Sequence, residues 1–226
     1  MTREARTVSS TRLRRTAVVV AFAALALTGC SATKAGAASI VGDQSVTDSQ
    51  VADVANEVQA QVATVQGATF DEQAATIASL TSQTRHLILQ AAAAKEGITV
   101  TQGQVDAFLK NIIDTQFAGK RQGLLDNLAS QANIPESRVD EAAADQLVYE
   151  ALLAKIAPTA STDTEKSKAL ADYMGAFVKE IGVEVAPRFG TWNVFSLGPV
   201  PDDLSVVPTP VGDSSGRPVT LPNPAS

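Results

Sequence analysis

Apolar residues recur at the three- and four-residue spacing of an α-helix in six stretches of the chain. The widest apolar face belongs to the third stretch and runs from Val105 to Phe117. Such spacing places apolar side chains on one side of a helix, where they can pack against other helices. The pattern predicts a mainly α fold, a bundle of about six helices. The predicted helices cover approximately residues 47–65, 69–97, 101–117, 122–131, 133–156 and 162–181.

Five of these six stretches open with a capping signal, a Thr or Asn followed three residues later by Gln or Glu. In a capping box the two side chains satisfy backbone N–H groups that the first helical turn leaves without partners. The signals therefore predict where five helices begin. The pairs are Thr47 and Gln50, Thr69 and Glu72, Thr101 and Gln104, Asn133 and Glu136, and Thr162 and Glu165.

Two short β-like segments lie outside the helical stretches. The segment "ASIVGDQSVT", residues 38–47, predicts a small hairpin around Gly42 and Asp43. The segment "VEV", Val183 to Val185, is the other extended piece. We expect the hairpin and this C-terminal strand to pair, which would bring the two ends of the bundle's chain together.

The first thirty residues have the layout of a targeting segment. Five arginines precede the apolar run from Ala17 to Leu27, which is too short to span a bilayer as a helix. The following "LTGC" resembles the lipobox of bacterial lipoproteins, which implies that Cys30 is lipidated and becomes the new N-terminus. An ordinary secretory signal with an incidental cysteine is the alternative. We expect a signal peptide at 1–29, a tether at 30–37, and lipid anchoring on the extracytoplasmic face of the cell membrane.

The C-terminal thirty residues carry seven of the ten prolines and have no hydrophobic periodicity. Such a composition predicts a disordered, Pro-rich tail at residues 196–226. Residues 38–195 remain as one helical domain, a length that suits one hydrophobic core.

Charge and residue types narrow the classes of function. Without residues 1–29 the chain keeps 13 basic and 23 acidic residues, a net charge of −10. An acidic surface argues against nucleic-acid binding, which needs clustered Lys and Arg. With only one His and one Cys, the sequence offers no nucleophilic triad and no familiar metal-ligand spacing. We predict a surface position for His86 and a solvated first turn for Asp140 and Glu141. We expect no enzyme activity, no cofactor and no metal, although a pair of carboxylates for acid–base work stays open.

Four segments, in this order, resemble the extracytoplasmic foldases of the SurA and PrsA type. They are "SIVGDQSVTDSQVADVANEV", "AKEGITVTQGQVDAFLKNI", "LLDNLASQANIPESRVDEAAADQLVYEALLAKI" and the closing run "VEVAPRFGTWNV". The resemblance spans most of residues 38–195 and implies a helical chaperone domain like the SurA N-terminal domain. Those foldases carry a parvulin-type prolyl isomerase domain where this chain has only residues 157–168. The resemblance therefore implies the chaperone module without the isomerase.

Such a module would present apolar surface to unfolded or newly secreted polypeptides, and six residues are candidates for that contact. For each of them a structural role in the core or at the fold's closure is the alternative, and Arg188 has the further alternative of capping a helix. The sequence leaves open whether the face of residues 105–117 is groove or core. The candidates are Phe108, Ile112, Phe117, Arg188, Phe189 and Trp192.

The sequence favours a membrane-anchored chaperone of the holdase type, which delays aggregation without catalysing folding. An accessory envelope lipoprotein that binds one specific protein partner is the first alternative. A degenerate isomerase is the second, and the missing parvulin segment argues against it.

Overall fold

The computed structural model describes residues 36–193 and, for the backbone alone, residues 198–200. Within this part of the chain six α-helices dominate, so the prediction of a mainly α fold is confirmed. The strands are β1 (Ala37–Val41), β2 (Gln44–Thr47), β3 (Val183–Val185), β4 (Thr191–Asn193) and β5 (Gly198–Val200). The helices are α1 (Asp48–Val62), α2 (Glu72–Glu96), α3 (Gln102–Gln116), α4 (Arg121–Ala132), α5 (Val139–Ile156) and α6 (Asp163–Ile181), with 3₁₀ turns at Glu136–Arg138 and Pro187–Phe189.

The predicted hairpin and its pairing with the C-terminal strand are confirmed. β1 lies between β2 and β3 in an antiparallel sheet of order β2-β1-β3. Gly42 makes the tight turn possible because its φ of 60° is costly for any other residue. Its N–H donates to the carbonyl of Gly182 at 2.9 Å, which ties the hairpin to the end of α6. The two ends of the helical body therefore meet in this sheet.

Three of the five predicted capping boxes are present, at Thr47, Thr101 and Thr162. The other two predictions were wrong. α2 is capped by Asp71 instead of Thr69, and the Asp71 carboxylate accepts a hydrogen bond from the Ala74 N–H at 2.9 Å. Asn133 ends α4 in the left-handed conformation with φ 53° and does not begin α5. The proline that follows at 135 disfavours helical backbone in the residue before it, so α5 begins only after a 3₁₀ turn.

The core of the described residues has four apolar clusters, and three of them include residues of the longest helix, α2. One cluster joins α2, α5 and α6, and a second joins α3, α4 and α5. A third lies between α1 and α4, and a fourth lies beneath the hairpin, where it includes Leu80 of α2. Because α2 packs against α1, α5 and β1, its buried residues do not form a single stripe.

Polar side chains of α2 are buried as well, each with a partner. The Ser79 hydroxyl donates to the carbonyl of Val51 at 2.9 Å, and the hydroxyls of Ser39 and Thr84 lie 2.6 Å apart. Burial of such groups is tolerated because they are hydrogen bonded. Because polar residues are part of the buried face of α2, the positions of its apolar residues alone do not identify that face.

The segment predicted as a disordered tail contains a strand, β5. β5 pairs antiparallel with β4, so that Trp192 lies opposite Pro199. A proline in a sequence argues against a strand, because proline has no N–H to donate. It is nevertheless tolerated at a sheet edge, where that N–H is not needed. The remaining residues assigned to the tail, Phe195, the predicted signal peptide and residues 30–35 of the tether, with Cys30, lie outside the described residues. The last residue assigned to the tether, Ala37, belongs to β1. Within the described ranges, no helix has the length and apolar character required to cross a bilayer.

Candidate functional site

The structure buries two of the six residues predicted to contact clients. Phe108 is 8% exposed and Ile112 is 0% exposed, and both pack against α4 and α5 in one apolar cluster. Neither side chain offers an apolar surface in this structure. For these two residues the geometry supports the core alternative.

Phe117, the third candidate, stands at the end of α3 and is only partly buried. Its ring lies against Gly123 of α4, where an added Cβ would stand 3.2 Å from Phe117 Cδ1. The glycine thus makes room for the ring. Phe117 closes the end of the α3–α4 contact and keeps part of its surface accessible.

Arg188 and Phe189 act together at the closure of the fold. The Arg188 guanidinium forms an ion pair with Asp48 in the first turn of α1 and lies 4.7 Å from the centre of the Phe189 ring. Phe189 itself packs on the cluster beneath the hairpin, which includes Ala38 and Val46. This arrangement supports a structural role for Phe189 and gives Arg188 a partner that neither sequence alternative named.

Trp192 is half-buried and packs on the cluster formed by α2, α5 and α6, which also contains Val41 of the hairpin. Its indole Nε1 is shielded from solvent and has no hydrogen-bond partner among the described residues. The closing run therefore covers two clusters, with Phe189 on one and Trp192 on the other.

A groove open to solvent lies along α3, beside the starts of α4 and α5. Its volume is about 300 Å³, at the low end for ligand pockets. Its apolar floor is formed mainly by Ile113, which is partly buried, while the neighbouring Leu109 is 4% exposed and belongs to the same core cluster as Phe108. Charged groups of both signs surround this floor. The α3 residues follow helical spacing, Arg121 comes from the start of α4, and Asp140 from the start of α5. The lining residues are Asp106, Leu109, Lys110, Ile113, Arg121 and Asp140.

The charges around this groove already have neighbours. Gln102 donates to Asp106 at 2.9 Å and to Asp140 at 3.3 Å, and Lys110 pairs with Asp114. Exposed pairs of this kind contribute little to stability and exchange partners readily. The groove therefore presents an apolar floor and a rim of charged and polar groups to solvent. The sequence left open whether the face of residues 105–117 is groove or core. Of its three candidates there, Phe108 and Ile112 are buried and Phe117 is partly exposed.

A second feature, which sequence reasoning missed, joins α2 to α5. His86 Nδ1 lies 2.8 Å from Asp145 Oδ1, and His86 Nε2 lies 3.9 Å from Glu141 Oε2. The prediction of a surface histidine was wrong, since the His86 side chain is 26% exposed and Asp145 is only 4% exposed. The prediction of a solvated Glu141 was wrong too, because its side chain is 24% exposed and pairs with Arg138 at 2.7 Å.

The environment of this His86 cluster, defined as His86, Glu141, Asp145, Arg138 and Arg85, shifts three pKa values. Burial lowers the pKa of His86, but the hydrogen bond to Asp145 and the charges of Asp145 and Glu141 outweigh it, so this pKa lies above its ordinary value of 6.5. Burial raises the pKa of Glu141, although His86 and Arg138 oppose the shift. Burial also lowers the pKa of Arg85, against the attraction of Asp145.

His86, Glu141 and Asp145 are residue types that bind metals, and their ligand atoms lie within 4.8 Å of one another. Two features of the geometry suit a proton better than a cation. Each ring nitrogen of His86 faces a different carboxylate, and Arg138 already pairs with Glu141. A second guanidinium, that of Arg85, acts electrostatically on Asp145. A divalent cation would have to displace or tolerate both positive charges.

Comparisons with protein-family models, with curated proteins and with solved structures found no match for this chain. The resemblance to the SurA and PrsA foldases therefore rests on the sequence segments quoted above. Function has to be argued from the groove and the His86 cluster themselves.

Proposed function

We propose that this protein is a membrane-anchored extracytoplasmic chaperone of the holdase type. It binds unfolded or newly secreted polypeptides through the groove on α3 and has no isomerase activity. The anchor is the lipidated Cys30, whose surrounding sequence "LTGC" resembles a lipobox. Its action on clients is binding alone, with neither a metal nor a cofactor.

The observation that carries this proposal is the apolar floor of the groove on α3. Leu109 and Ile113 are adjacent on one helical face and line a cavity of about 300 Å³. Ile113 keeps accessible surface there, whereas Leu109 is 4% exposed and belongs mainly to the core. An apolar floor with a polar rim is how grooves bind segments of many sequences, because apolar contact supplies affinity without demanding one partner geometry. The mixed charges at the rim suit clients of varied composition.

The frame around the groove supports the same proposal. Phe108 and Ile112 are buried behind the floor and fix α3 against α4 and α5. Phe189 packs on the cluster beneath the hairpin, and Trp192 packs on the cluster of α2, α5 and α6. A rigid frame with one accessible apolar face suits a binding module, since binding residues held on packed helices stay in position.

The size of the groove also favours the second candidate, an accessory envelope lipoprotein with one protein partner. A general holdase benefits from a wide apolar surface, whereas Phe108 and Ile112 are withdrawn into the core. A groove of this volume suits one short segment better than a long unfolded chain. The two candidates share a site and differ in selectivity.

The deciding experiment follows light scattering by an unrelated, heat-unfolded protein while a soluble form of the chain, beginning at Ser31, is titrated in. Ile113→Ser removes the floor of the groove, and Ile181→Ser is the matched control at a partly buried isoleucine of α6. Circular dichroism verifies that each variant is folded. A holdase suppresses scattering near equimolar ratios, and Ile113→Ser weakens the suppression while Ile181→Ser does not.

Two outcomes reject the holdase proposal. If the folded protein leaves scattering unchanged, general client binding is excluded, and a specific partner should then be sought by crosslinking in envelope extract. If suppression is equal in wild type and Ile113→Ser, the groove on α3 is not the binding surface.

A further inference from the structure

The seam between α2 and α5 contains an ionisable cluster that the proposed chaperone function does not use. The imidazole of His86 stands between two carboxylates of α5, with Nδ1 at 2.8 Å from Asp145 and Nε2 at 3.9 Å from Glu141. Beyond this cluster the seam is apolar, with Ile88 and Leu89 of α2 packed in the same cluster as Val148 and Leu152 of α5, until Lys155 of α5 pairs with Glu96 at the end of α2. A proton on His86 therefore changes the attraction between these two helices.

We propose that His86 is a proton-dependent clasp that holds the start of α5 against α2, closed when the imidazolium stands between Asp145 and Glu141. With both ring nitrogens protonated, each N–H faces a carboxylate oxygen and the clasp is complete. When the proton is lost, only one nitrogen carries hydrogen. The other then presents its lone pair to a carboxylate, and the attraction is reduced.

The other charged groups in the seam define the setting of the clasp. Arg138, in the 3₁₀ turn before α5, pairs with Glu141 and opposes a second positive charge on His86. Arg85, next to His86 on α2, acts on Asp145 and on Tyr149 of α5. Burial raises the pKa of Glu141, which adds a second group whose protonation affects the same seam.

Around His86, the other elements packed on α2 contribute neutral polar contacts, whereas the charged contact from α6, Glu180 with Lys95, lies at the C-terminal end of α2. α1 receives a hydrogen bond from Ser79 at the Val51 carbonyl and another from Gln83 at the Gln50 carbonyl. β1 contributes the hydroxyl of Ser39, which contacts Thr84. The response of His86 is thus governed by the groups of α5, of its preceding turn and of Arg85.

The clasp has a direct structural route to the groove on α3. Asp140 lines that groove, and the next residue, Glu141, faces His86. Both belong to the first turn of α5. Closing or opening the clasp therefore acts on a turn that also forms part of the groove's rim. The inference does not depend on what the groove binds.

The test uses the full chain with ¹³C-labelled histidine, because His86 is the one histidine in the sequence and gives an unambiguous NMR signal. A pH titration measures its pKa in the wild type, Asp145→Asn and Glu141→Gln. Glu150→Gln is the matched control, an exposed carboxylate on the same helix. We expect a wild-type pKa above 6.5, a large decrease in Asp145→Asn, a smaller one in Glu141→Gln, and no change in the control.

A second measurement reports the movement of the seam. Labelled methyl groups of Ile88, in the seam, and Ile113, in the groove, should shift with pH along the same curve as His86. In His86→Gln these methyl shifts should be absent over that range. Glu141→Gln, which changes a partly exposed side chain, provides a second test if the change at buried Asp145 disrupts folding.

Three results overturn the inference. The first is a wild-type pKa at or below 6.5, and the second is a His86 titration that neither Asp145→Asn nor Glu141→Gln alters. The third is methyl signals of Ile88 and Ile113 that do not change with pH while His86 titrates. That result would show that protonation of His86 does not affect the packing of the helices. Stoichiometric binding of added Zn²⁺ that abolishes the His86 titration would instead reassign the cluster as a metal site.

Discussion

His86 Nδ1 lies 2.8 Å from Asp145 Oδ1, across the seam of α2 and α5, and the Asp145 side chain is 4% exposed. A carboxylate this deeply buried needs a hydrogen-bonded partner, because the charged form loses its hydration. The two residues are 59 positions apart in the chain. Their contact therefore reports directly on whether the two helices are correctly packed.

The stability of the fold should decrease as the pH rises through the folded-state pKa of His86. That pKa is raised above 6.5, so the folded state binds more protons than the unfolded state between the two values. The contribution is fully present below 6.5 and is lost at higher pH. Urea unfolding at several pH values measures it, and His86→Gln should remove this part of the dependence. A wild-type curve that rises with pH over this interval would contradict the assignment.

Glu141 should act in the same direction at lower pH. Its pKa is raised above 4.5, so its protonated form is favoured by folding. The corresponding contribution is present below 4.5 and is lost as the pH rises through the folded-state pKa. Glu141→Gln should flatten the stability profile in this lower interval and leave most of the His86 interval in place. An unchanged lower interval would show that Glu141 titrates as it does in the unfolded chain.

The coupling between His86 and Asp145 should be measurable in a double-mutant cycle at a pH below 6.5. His86→Gln, Asp145→Asn and the double variant should give a favourable interaction energy of about 0.5–3 kcal/mol in urea unfolding. Gln90 and Glu150, exposed residues of the same two helices, provide a control cycle with Gln90→Ala and Glu150→Gln. Equal energies in the two cycles would mean that the observed hydrogen bond adds nothing specific.

The start of α2 can be tested by a pair of adjacent substitutions. Asp71→Ala should lower the free energy of unfolding by about 1 kcal/mol, because it removes the side chain that accepts from the Ala74 N–H. Thr69→Ala should have an effect near zero, since Thr69 is exposed and lies before the cap. A larger loss of stability in Thr69→Ala than in Asp71→Ala would support the capping box that the sequence pattern predicted at Thr69.

Substitutions on the two faces of α3 should have different effects, one mainly on stability and the other mainly on client binding. Phe108→Ala creates a cavity at a residue that is 8% exposed and should cost about 3–5 kcal/mol. Ile113→Ser should cost less, because its side chain is only partly buried, while it weakens client binding. Thermal unfolding and the scattering assay measure the two effects. A folded Phe108→Ala protein with weakened binding and nearly wild-type stability would place Phe108 in the groove.

The predicted lipid anchor has a simple test. Cys30→Ser removes the only thiol that could carry the lipid, so the protein should remain unprocessed or leave the membrane fraction. Immunoblots of membrane and soluble fractions measure both effects. Ser31→Ala, at the adjacent position, is the control and should behave like wild type. A Cys30→Ser protein that is processed and membrane-bound as before would refute lipidation.

The elements themselves could be predicted because their signals are local. The valines of α1 and the apolar residues of α3 follow helical periodicity, and Thr47, Thr101 and Thr162 form the capping boxes expected of them. Gly42 marks the hairpin because few other residues tolerate its positive φ. Local signals were insufficient where two of them compete, as at Asn133, where the following Ile-Pro pair favours an end to α4 over the start of α5.

The site could not be predicted to the same depth, because it depends on which sides of a helix are covered. The sequence alone determined the mainly helical fold, the hairpin and the pairing of the hairpin with β3. It also identified α3 as the helix with the widest apolar face. Only the tertiary structure decided that Phe108 and Ile112 face the core and that the neighbouring Ile113 keeps accessible surface at a groove. Periodicity identifies an apolar face, but its width does not show how much of it the neighbouring helices cover. The contact of His86 could not be predicted for the same reason. Its partner, Asp145, is on another helix, and only the packing of the two helices brings these residues together.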